Sequence, residues 1–280
     1  MLSYRHAFHS GNFADVQKHL VLCLLLRLLR QKDSPFSVID THAGAGIYSE
    51  DSDFASKNRE YLSGIEKVIG NKALRELVPE YYAAIDKLRA ENPKALPGSP
   101  YFEQLSLRQS DHLMLMDLHP ADEDTLHRVF HRDHRISVQR RDAMEALGAA
   151  VPPLPRRGLC FIDPSYEEKD DYEKLVRALK TALRRWPSGI YAVWYPILAR
   201  LADRSKNLTA ELKHLNVPLL DCAVRVMPQP EEHGMCGSGM LILNYPYALP
   251  PLLEKLMPPL REALCDEEGE ARLRILTPRP

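Results

Sequence analysis

Between residues 36 and 245 the chain repeats one pattern: a short apolar run, an abrupt polar or acidic stop, then a stretch with helical periodicity. The runs span 36–41, 112–118, 135–139, 158–163, 189–196, 219–226 and 238–245. Helical spacing fills the intervals at roughly 121–131, 142–149, 170–186 and 197–215. Strands that read as continuous apolar runs are buried on both faces, and alternation with helices makes their sheet mostly parallel. Only 227–237 separates the last two runs, too little for a crossover helix, so they should pair antiparallel. The expectation is an α/β fold with a seven-stranded, mostly parallel sheet and one antiparallel strand.

The flanks add helices. Residues 12–32 carry apolar positions at helical spacing, with Asn12 as N-cap and Pro35 as stop. Residues 250–264 form a last helix before a charged tail, DEEGEARLRILTPRP. Residues 50–96 change character to Glu, Lys and Asn with helically spaced apolar positions. They read as a helical insertion subdomain, dividing the chain into a main domain of 1–49 and 97–280 and an insert of 50–96.

Charge limits the partners. The formal net charge is −1, so a nucleic acid would have to meet a local basic face. His131 to Arg135, Arg140-Arg141, Arg156-Arg157 and Arg184-Arg185 offer such clusters, though each taken singly reads more readily as solvated surface. Five scattered cysteines without a C-x-x-C pair suit reduced thiols in a cytoplasmic protein. The most apolar run, Leu20 to Leu29, is short and contains Arg27, so no membrane span is expected. The start, MLSYRHAFHSGN, lacks the apolar segment of a signal peptide. No H-E-x-x-H pattern or carboxylate cage calls for a metal.

Four strand tips carry candidate chemistry, because ligands of parallel sheets bind beyond the carboxyl ends of the strands. After the first strand comes DTHAGAG, where Gly44 and Gly46 allow close backbone approach. It is neither a P-loop nor a full G-x-G-x-x-G, and it also suits a plain turn. The second strand ends in Asp117, placed to accept from two ribose hydroxyls. The competing role, capping the next helix, fits Asp122 better. Asp142-Ala143 follows the third strand and suits an adenine amine and ring nitrogen; Asp142 suits a helix cap equally well.

The fourth tip, Asp163-Pro164-Ser165-Tyr166, answers a chemical difficulty. The exocyclic nitrogen of adenine is a poor nucleophile, since its lone pair is delocalised into the ring. A carboxylate and a backbone carbonyl accepting its two N–H bonds aim the developing lone pair at a methyl donor. Asp163 supplies the carboxylate, Pro164 the carbonyl, and Tyr166 a flat face for an extruded base. A plain turn is the alternative for this tetrapeptide alone. Methyl transfer of this kind calls for S-adenosyl-L-methionine.

Taken together, Tyr4 to His19 (YRHAFHSGNFADVQKH), DTHAGAG, Pro97-Gly-Ser-Pro100, Leu118-His-Pro120, Asp163 to Tyr166, Trp194-Tyr-Pro196 and Gly237 to Met240 resemble the RlmJ family, from Tyr4 to about Pro246. These are bacterial methyltransferases acting on N6 of one adenine in 23S ribosomal RNA. The resemblance implies a Rossmann-like class I methyltransferase fold with a small helical subdomain. It implies a donor pocket lined by Lys18, His19, His42, Ser99, Asp117, Asp142, Ala143 and Asp163, with Asp163 catalytic and Tyr4 touching RNA. Arg5 and His6, beside Tyr4, add donors suited to bases and phosphate. Two positions depart from the family pattern: Ser165 stands where a second proline is usual, and Asp117 where Glu is usual. A monomer is expected. Other planar amines (DNA adenine, a glutamine amide, a small molecule) fit the same clamp, and so does a non-catalytic nucleic-acid binder with the same fold.

Overall fold

The structure, a computed structural model, describes residues 6–52, 55–168 and 170–279. Its strands are β1 (Ser37–Asp40), β2 (Ile47–Ser49), β3 (Ala95–Pro97), β4 (His112–Asp117), β5 (Ile136–Arg140), β6 (Gly158–Ile162), β7 (Ile190–Leu198), β8 (Leu219–Arg225), β9 (Met235–Leu243) and β10 (Glu270–Thr277). The main helices are α1 (Phe13–Arg30), α2 (Ala55–Asn58), α3 (Ile65–Val68), α4 (Lys72–Leu77), α5 (Pro79–Glu91), α6 (Ser99–Ser106), α7 (Pro120–Phe130), α8 (Ala143–Ala150), α9 (Asp171–Arg185), α10 (Ser205–Lys213) and α11 (Leu249–Leu264).

Eight strands make one sheet in the order β10-β8-β9-β7-β6-β1-β4-β5. The five from β7 to β5 are mutually parallel, with β1 at their centre and Val38 facing Leu113 on one side and Leu159 on the other. β9 runs antiparallel between β7 and β8, as the short connection requires. The expected count of seven strands is corrected to eight, because the charged tail forms β10, antiparallel to β8 at the sheet edge. Its arginines have a partner there. Asp221 on β8 is 0% exposed; it accepts from Arg274 Nη2 at 2.7 Å and from the Tyr195 hydroxyl at 2.6 Å.

Helices cover both faces. α1 carries leucines around its whole circumference and is accordingly buried on nearly every side, against the sheet, α6 and α11. Its N-cap is Asn12, whose side-chain oxygen accepts from Ala14 and Asp15 N–H at 2.9 and 3.0 Å. The second face packs apolar residues of α8, α9 and α10 against Ile39, Cys160, Ile162 and Val193. α10 starts later than expected, since β7 continues through Pro196 to Leu198 and the following loop bonds to Pro230, Glu231 and Gly234. The excursion from β1 to α6 leaves along β2 and returns along β3, which pair antiparallel. Residues from α3, α4 and α5 share one apolar cluster with α1 and α11.

This topology collects the tips of β5, β4, β1 and β6 along one edge. Among the described residues no helix is long and apolar enough to cross a membrane, and no group of three or more metal-ligating side chains is assembled.

Candidate active site

Beyond those tips lies a cavity of ≈ 430 Å³. Thr41, His42 and Gly44 reach it from β1; Asp117, Leu118 and His119 from β4; Arg141 to Met144 from β5; and Asp163, Pro164 and Ser165 from β6. The volume suits a ligand of nucleoside size.

The loop after β1 is held open by two left-handed glycines, Gly44 (φ +59) and Gly46 (φ +77). At Gly44 any Cβ would sit 2.1 Å from the Tyr48 hydroxyl, which itself accepts the Ala45 N–H at 3.0 Å. The loop is tied to the next strand by Asp117, which accepts from Gly44 N at 2.8 Å through one oxygen and His119 N at 2.7 Å through the other. Each oxygen has one such donor and lone-pair capacity to spare. Burial raises the Asp117 pKa against the pull of those two N–H groups. Asp142 caps α8, taking Met144 N at 2.9 Å, and also lines the cavity. Asp122 is not the cap of α7; it sits inside the first turn and lines the cavity.

At the β6 corner, Lys18 of α1 bridges Asp163 and Asp15, the latter at 2.8 Å. Lys18 is 3% exposed, and its ammonium lies 5.7 Å from the Trp194 ring centre. Burial alone would raise Asp15, but the His6 and Lys18 charges beside it hold it well below the usual carboxylate range. Asp163, Pro164 and Ser165 face the cavity, whereas the Tyr166 ring does not line it. Tyr166 adopts φ +54, packs on Tyr172 at 4.4 Å between ring centres, and donates its hydroxyl to Trp194 O at 2.6 Å.

The remaining sequence-derived residues are distributed as follows. His6 lines the cavity, bonded to Asp15 at 3.0 Å. Tyr4 and Arg5 lie outside the described residues. Lys18, His19, Gly46 and Ser99 do not line the cavity. Burial lowers His19 to about 3 and His42 to about 4, so both imidazoles are neutral around pH 7. Ser99 Oγ donates to Asp40 at 2.6 Å. Sequence reasoning named Arg141 only within a basic cluster and assigned no role to Met144, Glu167, Glu168, Asp171 or Lys174; all six line the cavity. Adjacency to Asp142 was the available signal for the first two; the others come from the loop and helix after β6 and carried none. Of the basic clusters, Arg135 pairs with Asp133 at 2.5 Å, Arg157 donates to Leu29 O at 2.8 Å and Arg185 to Val151 O at 3.2 Å. These three hold the fold together, while Arg141 faces the cavity.

Comparison with known proteins agrees with this geometry. Residues 33–277 match the family model described as Ribosomal RNA large subunit methyltransferase D, RlmJ. The chain is 38% identical to Ribosomal RNA large subunit methyltransferase J of Escherichia coli (strain K12), over 99% of this chain and 100% of that one. It is 36% identical to the protein of the same name from Haemophilus influenzae, over 99% and 100%. A crystal structure of a Legionella pneumophila protein superposes with a TM-score of 0.87 at 31% identity, covering 95% of this chain and 98% of that one. A probable spermidine synthase from Corynebacterium glutamicum, with a TM-score of 0.50 and 10% identity over 97% and 77% of the chains, shares the fold alone. With strand-tip acids, glycine loop and Asp-Pro corner opening on one cavity, and with relatives alike from end to end, this chain belongs to the RlmJ family of S-adenosyl-L-methionine-dependent ribosomal RNA large subunit methyltransferases.

Proposed function

We propose that the protein methylates N6 of a single adenine in 23S ribosomal RNA. The observation that carries this reading is the convergence of Asp163, Pro164, Asp117, Asp142 and Gly44 on one cavity. S-adenosyl-L-methionine, when bound, supplies an activated methyl group as a sulfonium. The glycine loop gives its tail a side-chain-free approach. Asp117 offers spare lone pairs to two ribose hydroxyls, and Asp142 with the Ala143 N–H meets the adenine edge. Asp117 is one methylene shorter than the family's Glu, and its fixed bond to Gly44 N supports the reading that the loop, rather than the side chain, closes the gap.

Asp163 and the Pro164 carbonyl orient the target amine, accepting its two N–H bonds as the nitrogen pyramidalises. Lys18 engages one carboxylate oxygen and leaves the other to the substrate. Tyr166 supplies the stacking face once its ring leaves Tyr172 and its hydroxyl releases Trp194 O. His6, with Tyr4 and Arg5 before it, meets the RNA at the cavity mouth. On this reading the protein acts as a monomer, in the cytoplasm with ribosomal RNA.

The test is Asp163→Ala. Transfer to 23S ribosomal RNA should drop by roughly 10²–10³-fold or more, while calorimetry still detects S-adenosyl-L-methionine binding. Wild-type turnover in the variant would remove the clamp from the account. Transfer by the wild type to duplex DNA and never to RNA would remove the substrate assignment.

A further inference from the structure

Glu103, on α6, is 0% exposed, and neither of its carboxyl oxygens meets an N–H or O–H donor among the described residues. A carboxylate so buried, with no cation or donor, is unstable in ionised form. The group it does reach is another acid, Asp40 at the tip of β1, likewise 0% exposed. Asp40 is already an acceptor on both oxygens, from Ser99 Oγ at 2.6 Å and from His42 N at 3.2 Å. Two ionised carboxylates are acceptors only, so the contact between them requires a proton. Ser99 and Glu103 stand one turn apart on the same face of α6, so both side chains reach one strand tip.

We propose that Glu103 is a positioning residue: as a neutral acid it donates its proton to Asp40, and this pair fixes the β1 loop and the start of α6, which together back the donor cavity. The charged and titratable groups around the pair agree. From α1 come Lys18 and the buried Cys23; from β6 come Cys160 and Asp163. The one cation among them, Lys18, is engaged by Asp15 and Asp163. Burial drives the Glu103 pKa well above the usual carboxylate range and Asp40 to about 7. The inference rests on the donor reading of the cavity for its function, and on the fold alone for the shared proton.

The two parts separate in the experiment. For the proton, thermal unfolding of Glu103→Gln is compared with wild type at about pH 5 and about pH 8, without ligand. The folded wild type holds a proton that the unfolded chain has released above its ordinary carboxyl range, so wild-type stability falls as pH rises. The amide donates to Asp40 with no proton to lose, and the gap in Tm in favour of Gln should widen toward pH 8. A gap independent of pH would overturn the shared proton. For positioning, calorimetry with S-adenosylhomocysteine is run on wild type, Glu103→Gln and Glu103→Leu. Gln should bind within about twofold of wild type, since it keeps the donor, and Leu about tenfold more weakly, since it loses it. Leu binding as tightly as wild type would overturn the positioning role. If Leu does not fold, Glu103→Met, longer and unbranched, takes its place with the same expectation. Wild type failing to bind at all would instead reject the donor reading, leaving the thermal result standing.

Discussion

Gly44→Ala probes the loop that the donor must approach. Two costs can be worked out from its surroundings. At φ +59 an alanine backbone costs about 1–2 kcal/mol. The new methyl would lie 2.1 Å from Tyr48 Oη, so the phenol must move away from the Ala45 N–H that it accepts at 3.0 Å. A buried donor left unsatisfied costs about 1–2 kcal/mol. The single variant should therefore lose about 3 kcal/mol. Tyr48→Phe alone orphans the same N–H and should lose about 1–2 kcal/mol. In the double variant the clash disappears, since the next atom, Tyr48 Cζ, is at an ordinary 3.4 Å. The orphaned N–H is then counted once. The double should thus be about as stable as Gly44→Ala, with a coupling of about 1–2 kcal/mol between the sites. Urea titration of all four proteins measures it. Strict additivity, with the double about 1–2 kcal/mol below the Gly44 single variant, would show that the hydroxyl does not sit where the glycine needs space.

Other consequences are open to measurement. Tyr166→Phe removes the bond to Trp194 O and frees the ring; it should keep RNA turnover at or above wild type in a methylation assay, whereas Tyr166→Ala should lose it. Asp221→Ala leaves Tyr195 and two arginines without their buried partner and should cost about 3 kcal/mol, with hydrogen exchange rising first in 270–277. His19, lowered by burial to about 3 against an ordinary 6.5, takes no proton in the fold while the unfolded chain does. Stability should therefore fall with acid between those values by about 1.4 kcal/mol per pH unit, and denaturation of His19→Leu should show a correspondingly shallower slope. Gln17→Leu strands Ser238 and the Cys222 carbonyl, which Gln17 Nε2 reaches at 2.9 Å. It should lose about 2 kcal/mol, with part regained in Gln17→Leu/Ser238→Ala.

The strand tips were legible because buried parallel strands announce themselves as apolar runs, and Asp117 and Asp163 end such runs abruptly. β10 was hidden for the opposite reason: Arg272 and Arg274 read as solvated charge, and their partner, Asp221, lies far away in sequence inside an apolar strand. Asp122 misled because acids in a first turn and acids at a cap look alike without backbone angles. Glu103 was invisible, since a glutamate on a short amphipathic helix gives no sign that its face turns inward. Tyr166 shows a different limit. The tetrapeptide specifies which groups flank the corner, and the backbone at φ +54 decides which way the ring turns.

The pairing of β2 with β3 places the two ends of the excursion side by side, with Ile47 opposite Pro97 and Ser49 opposite Ala95. A segment whose departure and return are already stapled adds little closure entropy to the sheet when its length changes. Evolution, or an engineer, can therefore graft new recognition surface at its outer turns, as a lampshade is exchanged on a fixed stand, and leave the chemistry along the strand tips undisturbed.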